Sequence, residues 1–353
     1  MTLNKLVYSY YKYCYTDFME KHIQFFFTLI SLTFTNLIIS DTYKIAFGSC
    51  LDQDYPQPIW EAIKNENIDS FIFLGDNVYG DIPSGKLNKM EIAYTKQKQM
   101  IPEWLFNKDV HAIWDDHDYG INDGGGSYPL KMEAQKMYVN FWNIPADDIR
   151  RTRQGVYTNK IVDIDGFKIN IILLDTRYFR SNLDRTIGLT PVYKKNLDPE
   201  ATILGKDQWM WFENALELKS DLTIIATSIQ VLPTSHRFEK WSNFPSDHIK
   251  LKNLLKKSAA PVLIISGDRH QGAIYQEENI FEITSSSLNK TISASKFIGR
   301  PKEEDVLMQG DMYSGENFGL ITIDSDEKQY LIELKDLNGN QVRYKLIDIE
   351  KGV

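Results

Sequence analysis

From residue 43 onward, short apolar runs alternate with stretches of helical spacing. The runs are 43–49, 70–74, 110–114, 167–174, 222–228 and 261–266. They are short and rich in Ile, Val, Leu and Phe, as strands buried on both faces should be. Between them, residues 58–68, 86–100, 131–142, 206–219 and 247–257 repeat apolar side chains at helical spacing, and Pro245-Ser246-Asp247 is a helix-start signal. This alternation predicts an α/β domain with central sheets. The tail differs, because 318–323, 329–334 and 342–349 read as β, with Asn338-Gly339 as a hairpin turn. No linker precedes these strands, so they are expected to complete a sheet of the same domain.

Ahead of this pattern lies an uncharged apolar run, 23–39, which contains Phe25-Phe26-Phe27 and ends at Ile38-Ile39. Lys21 and His22 precede it and Ser40-Asp41 follow. The run is short for a membrane span and suits the core of a signal peptide. Residues 1–18 then read as an over-extended start or an unstructured segment, 19–40 as the signal peptide beginning at Met19, and 41–353 as one folded domain. The mature chain is expected to be secreted or periplasmic, with no stable membrane span once the leader is cleaved. An uncleaved N-terminal anchor is the alternative.

Composition narrows the class. Apolar residues make up 42% and charged residues 25% of 353 positions, which excludes a disordered chain and a polytopic membrane protein. Forty Lys+Arg against 48 Asp+Glu leave a net charge of −8, and no basic run is present. That argues against nucleic-acid scaffold binding, which needs clustered positive charge. Phosphate substrates stay open, because bound cations can reverse the local sign. The cysteines, Cys14 and Cys50, cannot build a disulfide framework. Leader removal would leave Cys50 alone, and metal ligation is one use for such a thiol.

The residues just past each strand are more informative. Residues 43–49 deliver Cys50, and 70–74 deliver Gly75-Asp76-Asn77-Val78-Tyr79-Gly80-Asp81. Residues 110–114 deliver Asp115-Asp116-His117-Asp118, with Asn122 and Asp123 beyond. The later runs deliver Asp175-Thr176-Arg177, Gln230 and Gly267-Asp268-Arg269-His270. Each residue alone has an ordinary explanation, such as a turn Asp, a buried Cys or a core His. In α/β sheets, however, the carboxyl ends of strands line the ligand crevice, and so many ligand-type residues along one rim point to an active site.

Ligand chemistry divides the candidates. Cys50, Tyr79 and His270, with Asp76 shared, offer thiolate, phenolate and imidazole, a set that favours a trivalent ion such as Fe3+. Asp76, Asp116, Gln230 and Asp268 offer only oxygen, which suits Ca2+ or Mg2+. A bridging Asp76 would set two cations about 3.5–4 Å apart, where they can polarise a phosphoryl oxygen and activate water. His117 is then the candidate acid for the leaving oxygen, with Asp118 expected to orient its ring. Arg177 and Arg269 are phosphate-grip candidates, with salt bridges behind the site as the other reading for both, and Asn122 is a further substrate-binding candidate.

These motifs resemble the metallophosphoesterase superfamily, and within it the alkaline phosphatase D-type branch. The superfamily's ordered blocks look like Gly48-Ser49-Cys50, Gly75-Asp76-Asn77-Val78-Tyr79, Asp115-Asp116-His117-Asp118, Gln230 and Gly267-Asp268-Arg269-His270. The Ser-Cys opening and the Gly-Asp-x-His close are marks of the D-type branch, and Asp175-Thr176-Arg177 is similar too. The resemblance covers about residues 43–280. It implies a four-layer α/β/β/α sandwich, an iron–calcium dinuclear centre and hydrolysis of small phosphate esters. It supports Cys50, Asp76, Tyr79 and His270 around iron, and Asp116 and Asp268 on the calcium side. Gln230 stands where the wider superfamily has a His. Almost nothing separates the leader from Tyr43, so the N-terminal β domain of the branch's best-known members is expected to be absent.

The expectation is a metal-dependent phosphatase with iron and calcium, and zinc, manganese or magnesium as alternative loadings. Rival readings are a phosphodiesterase for phospholipid or nucleotide diesters, a non-catalytic metal- or phosphate-binding protein, and a redox iron protein. The oligomeric state is left open.

Overall fold

The computed structural model describes residues 42–187, 192–292 and 304–350. The expected leader and the segment before it lie outside the described residues. Two six-stranded sheets carry the fold. The first has the order β12-β11-β10-β1-β2-β3, with β1 (Thr42–Gly48), β2 (Ser70–Leu74) and β3 (Asp109–Ile113) parallel. The tail strands β10 (Asn317–Asp324), β11 (Gln329–Asp336) and β12 (Gln341–Asp348) extend it antiparallel from β1, as expected. The second sheet has the order β4-β5-β6-β7-β9-β8. Its parallel centre is β5 (Phe167–Leu173), β6 (Leu222–Thr227), β7 (Val262–Ser266) and β9 (Ile280–Ser285), flanked by antiparallel β4 (Thr158–Ile164) and β8 (Gly272–Glu277).

Alternation along each strand assigns side chains to layers. Ile45, Phe47, Ile72 and Leu74 of the first sheet meet Ile169, Ile171, Ile224 and Leu263 of the second in one buried core between the sheets. The opposite face of the first sheet, with Ala46, Phe71 and Phe73, packs under helices α1 (Ile59–Asn65) and α4 (Lys131–Phe141). The opposite face of the second, with Ile172, Ile225 and Ile264, packs under α5 (Gly205–Leu216) and α6 (Pro245–Lys257). Helix α2 (Asn88–Met100) lies over the loop after β2, with Val78 against Met90 and Ala93. The one-turn α3 (Asp116–Tyr119) starts directly behind β3. The result is the expected α/β/β/α layering, in which both sheets are covered on both faces. That explains why the central strands read as continuous apolar runs.

Strands β4, β8 and β9 lie outside the runs singled out from the sequence. Strand β4 is half-exposed with interspersed Lys160 and Asp163, so it lacks a continuous apolar run. Its turn to β5, Asp165-Gly166 with φ of 51° and 98°, is nevertheless a standard hairpin signal.

Candidate functional site

The strand ends converge as the sequence pattern implied. Cys50, Asp76, Asp268 and His270 all sit at positive φ, between 51° and 68°. Such backbone is unfavourable for residues with a Cβ and is held only where surrounding structure enforces it, often at functional sites. Gly75 has φ 94°, and a Cβ there would lie 2.5 Å from the Asp115 Cβ. Glycine therefore lets the end of β2 pass close against the end of β3, which brings Asp76 beside Asp116.

Three overlapping groups of donor atoms result. Cys50, Asp76 and His270 offer ligand atoms that all lie within 4.8 Å of one another; so do Asp76, Asp116 and His117, and again Asp115, Asp116 and Asp268. Asp76 thus joins the first group to the second, and Asp116 joins the second to the third. The Tyr79 hydroxyl donates to Asp76 Oδ2 at 3.2 Å, and Cys50 Sγ lies 3.4 Å from the same oxygen. The His270 Nδ1 donates to the Lys290 carbonyl at 2.6 Å, which leaves Nε2 as the nitrogen that could face a cation. Gln230 donates through Nε2 to Thr284 Oγ1 at 2.7 Å. Among the described residues, its buried Oε1 and the buried Asp115 Oδ2 have no hydrogen-bond partner.

The electrostatics fit a cation centre. Burial above all pushes the Asp76 and Asp268 carboxyls well above the ordinary carboxylate range; His117 opposes this at Asp76, and neighbouring anions add to it at both. Burial likewise raises the Cys50 thiol to about 11 and the Tyr79 phenol well above its usual value. A cation among these groups reverses that balance, because it stabilises each deprotonated donor. Burial opposes charge on His117, yet Asp116, Asp76 and Asp81 outweigh it and lift its pKa to about 11. Asp116 is also penalised by burial, but His117, Arg177 and the Asp123 N–H hold it down at about 2. The donors therefore fit: a sulfur, nitrogen and phenol set on one side, and an oxygen set on the other.

Some expected roles change hands. Asp118 does not orient His117. It closes a capping box at α3, where it accepts from the Asp115 N–H at 2.6 Å, and it also accepts from the Asp76 and Asn77 N–H groups at 3.3 Å. The carboxylate on the ring is Asp81, whose Oδ1 lies 2.7 Å from His117 Nδ1. Arg177 is not a phosphate grip, since it is fully buried between Asp115, bonded to its Nε at 2.5 Å, and Glu239, bonded to its Nη1 at 2.7 Å. Arg269 is also buried, stacked 4.4 Å over the Phe238 ring. Asn122 is exposed and donates to Asp123 Oδ2 at 2.7 Å, while the Asp123 N–H donates to Asp116 Oδ2 at 2.6 Å. Asn122 thus stands at the rim. Asp175 is structural, accepting from the Val156, Arg177 and Tyr178 N–H groups at 2.9 Å. Asp81 and Asp115 had no assigned role in the sequence. Their signal was position alone, within the same strand-end strings.

The fold has known counterparts. The chain resembles alkaline phosphatase D of Bacillus subtilis (strain 168), with 23% identity over 303 residues that cover 72% of this chain and 49% of that protein. It spans about half the length of this curated relative. A solved structure of PhoD superposes with a TM-score of 0.64 at 16% identity, covering 87% of this chain and 70% of that one. GAP50, described as the anchor in the inner membrane complex of Plasmodium, superposes with a TM-score of 0.61 at 13% identity, covering 88% and 90%. The sequence profile of the PhoD-like phosphatases matches residues 104–333, well over half of the chain, and the chain belongs to the PhoD-like phosphatase family.

Proposed function

We propose that this chain is an exported, metal-dependent hydrolase of small phosphate esters. The observation that carries the reading is the chain of three overlapping donor groups joined by Asp76 and Asp116 at the strand ends. Cys50, Asp76, Tyr79 and His270 would hold iron, and Asp76, Asp116, Gln230 and Asp268 would hold calcium. Bound there, the cations supply charge that polarises the phosphoryl group and acidifies water. The protein's own part is to hold these donors rigidly, to keep most of them buried, and to present His117 beside them. His117 would give its proton to the leaving oxygen, and its ring lies 4.3 Å from the Tyr79 ring, against the donor cluster. Export rests on the apolar run 23–39 behind Lys21-His22. Among the described residues no helix is long and apolar enough to cross a membrane.

The fold alone does not decide catalysis. GAP50 carries a similar fold and is described as an anchor. The deciding experiment is elemental analysis of protein beginning at Asp41, purified without added metal, with 4-nitrophenyl phosphate and bis-4-nitrophenyl phosphate hydrolysis assayed on the same sample. Iron and calcium with chelator-sensitive hydrolysis is the expected result, and the ratio of the two substrates separates monoesterase from diesterase. Metal-free, inactive protein that added iron and calcium fail to rescue would overturn the proposal in favour of a binding role.

A further inference from the structure

We propose that Asp81 is the positioning residue for His117, fixing the rotation of the imidazole so that Nε2 faces the leaving oxygen. The inference rests on the hydrolase reading above and assigns a role to a residue five positions beyond Asp76. Asp81 Oδ1 lies 2.7 Å from His117 Nδ1, and both side chains are largely withdrawn from solvent, 17% and 20% exposed. The His117 backbone N–H donates to Asp76 Oδ1 at 3.3 Å, so both ends of the residue are tied to the loop that follows β2. On its other side the ring packs against Tyr79. An imidazole held at one nitrogen by a carboxylate and on one face by an aromatic ring has little freedom to rotate.

Asp118, the carboxylate next to His117 in sequence, is already engaged elsewhere. It is committed to the backbone N–H groups of Asp115, Asp76 and Asn77. Asp81 reaches the ring because β2 and β3 are parallel neighbours, which puts the loops that leave them side by side. In the reaction the phosphorus–oxygen bond to the leaving group breaks and its electron pair stays on that oxygen. The oxygen takes the proton from His117 Nε2, while water supplies the oxygen that forms the new bond to phosphorus and gives up the proton that restores His117. Asp81 touches none of the reacting atoms. It acts by keeping the donor aligned, and misalignment of such a group costs roughly 10²-fold in rate.

The test compares Asp81→Ala with the wild type on phosphate monoesters of increasingly poor leaving groups: 4-nitrophenyl, phenyl and alkyl. Proton donation matters most where the leaving oxygen is most basic. The expected result is unchanged metal content and KM, little change in kcat for the 4-nitrophenyl ester, and a fall of roughly 10²-fold for the alkyl ester. An equal fall for all three, or loss of metal, would make Asp81 a structural or ligand residue and overturn the proposal. If Asp81→Ala fails to fold, Asp81→Asn, which keeps the volume, takes its place. A second readout does not depend on turnover. Long-range nitrogen–proton spectra of zinc- and calcium-loaded protein should show a single fixed ring state for His117, identified by its loss in His117→Gln. That state should give way to averaged nitrogen shifts in Asp81→Ala; an unchanged ring pattern would refute the positioning role. Wild-type protein inactive on every ester would overturn the hydrolase reading instead, and the ring spectra would still decide the Asp81 contact.

Discussion

Arg177 follows a strand and a conspicuous Asp-Thr pair, where an arginine invites assignment to substrate phosphate. Its burial decides otherwise. The guanidinium lies between Asp115 and Glu239, and Ser228 Oγ donates to the same Asp115 Oδ1 at 2.6 Å. Glu239 also pairs with Arg180 at 2.8 Å, so one buried network joins the loops after β3, β5 and β6. Removing one partner of such a network leaves the others charged and unpaired in a dry interior. Arg177→Met is therefore expected to cost about 3–5 kcal/mol in urea unfolding, far more than a surface substitution. A loss within the surface range of about 0.5 kcal/mol would show that the network is not structurally required. The same reasoning applies to Asp118 and Asp81. Adjacency to His117 favoured Asp118, but successive residues at a helix start point in different directions. The backbone N–H groups of the turn claimed Asp118, and the ring met Asp81.

Among the elements, the six principal strands and five of the helices were legible because their apolar periodicity is strong. Pro245 stands at the first position of α6, and Asn338-Gly339 turns β11 into β12. Strands β8 and β9 were harder to see. Their turn lies at Glu278-Asn279, where Glu278 has φ 54°, and no glycine marks it. Register also places constraints that composition hides. Phe47 on β1 pairs with Gly319 on β10, and a Cβ at Gly319 would overlap the Phe47 ring. Gly319→Ala should therefore force Phe47 out of place, with a loss of about 1–3 kcal/mol. Phe47 lies three residues before Cys50, so metal content of the purified variant should fall as well. Wild-type stability and full metal retention would show that β1 and β10 can separate freely at this point.

For the molecule as a whole, covering the outer face of the second sheet with helices and loops buries polar groups that the sequence leaves unpartnered. Glu282 on β9 is one. It accepts from the Val231 N–H at 3.1 Å and the Leu232 N–H at 2.6 Å, and Ser266 Oγ donates to it at 2.6 Å. Burial outweighs these bonds and raises its pKa to about 7. The folded chain then keeps a proton that the unfolded chain releases from about pH 4.5 upward. This carboxyl's contribution to stability is full below that point and is lost as pH rises through about 7. Denaturation of wild type and Glu282→Gln across pH 5 to 8, roughly that window, should show the wild type losing stability relative to the variant as pH rises. Groups common to both proteins cancel in the difference, so parallel curves would mean that Glu282 is not protonated in the fold.

The α/β class, the position of most strands and the strings that carry Cys50, Asp76, Asp116, His117, Asp268 and His270 were accessible from the chain alone. They follow from local periodicity and from the rule that crevices form at the carboxyl ends of parallel strands. Partnership was not accessible. Asp81 on His117, Asp118 on the turn after β2, and Arg177 between Asp115 and Glu239 are contacts across distant loops. Their distances are set by strand pairing, by the close approach at Gly75 and by burial. A sequence can place the groups that carry chemistry at the ends of strands, but only packing decides which of them meet, since each carboxylate goes to the donors that fall within its reach.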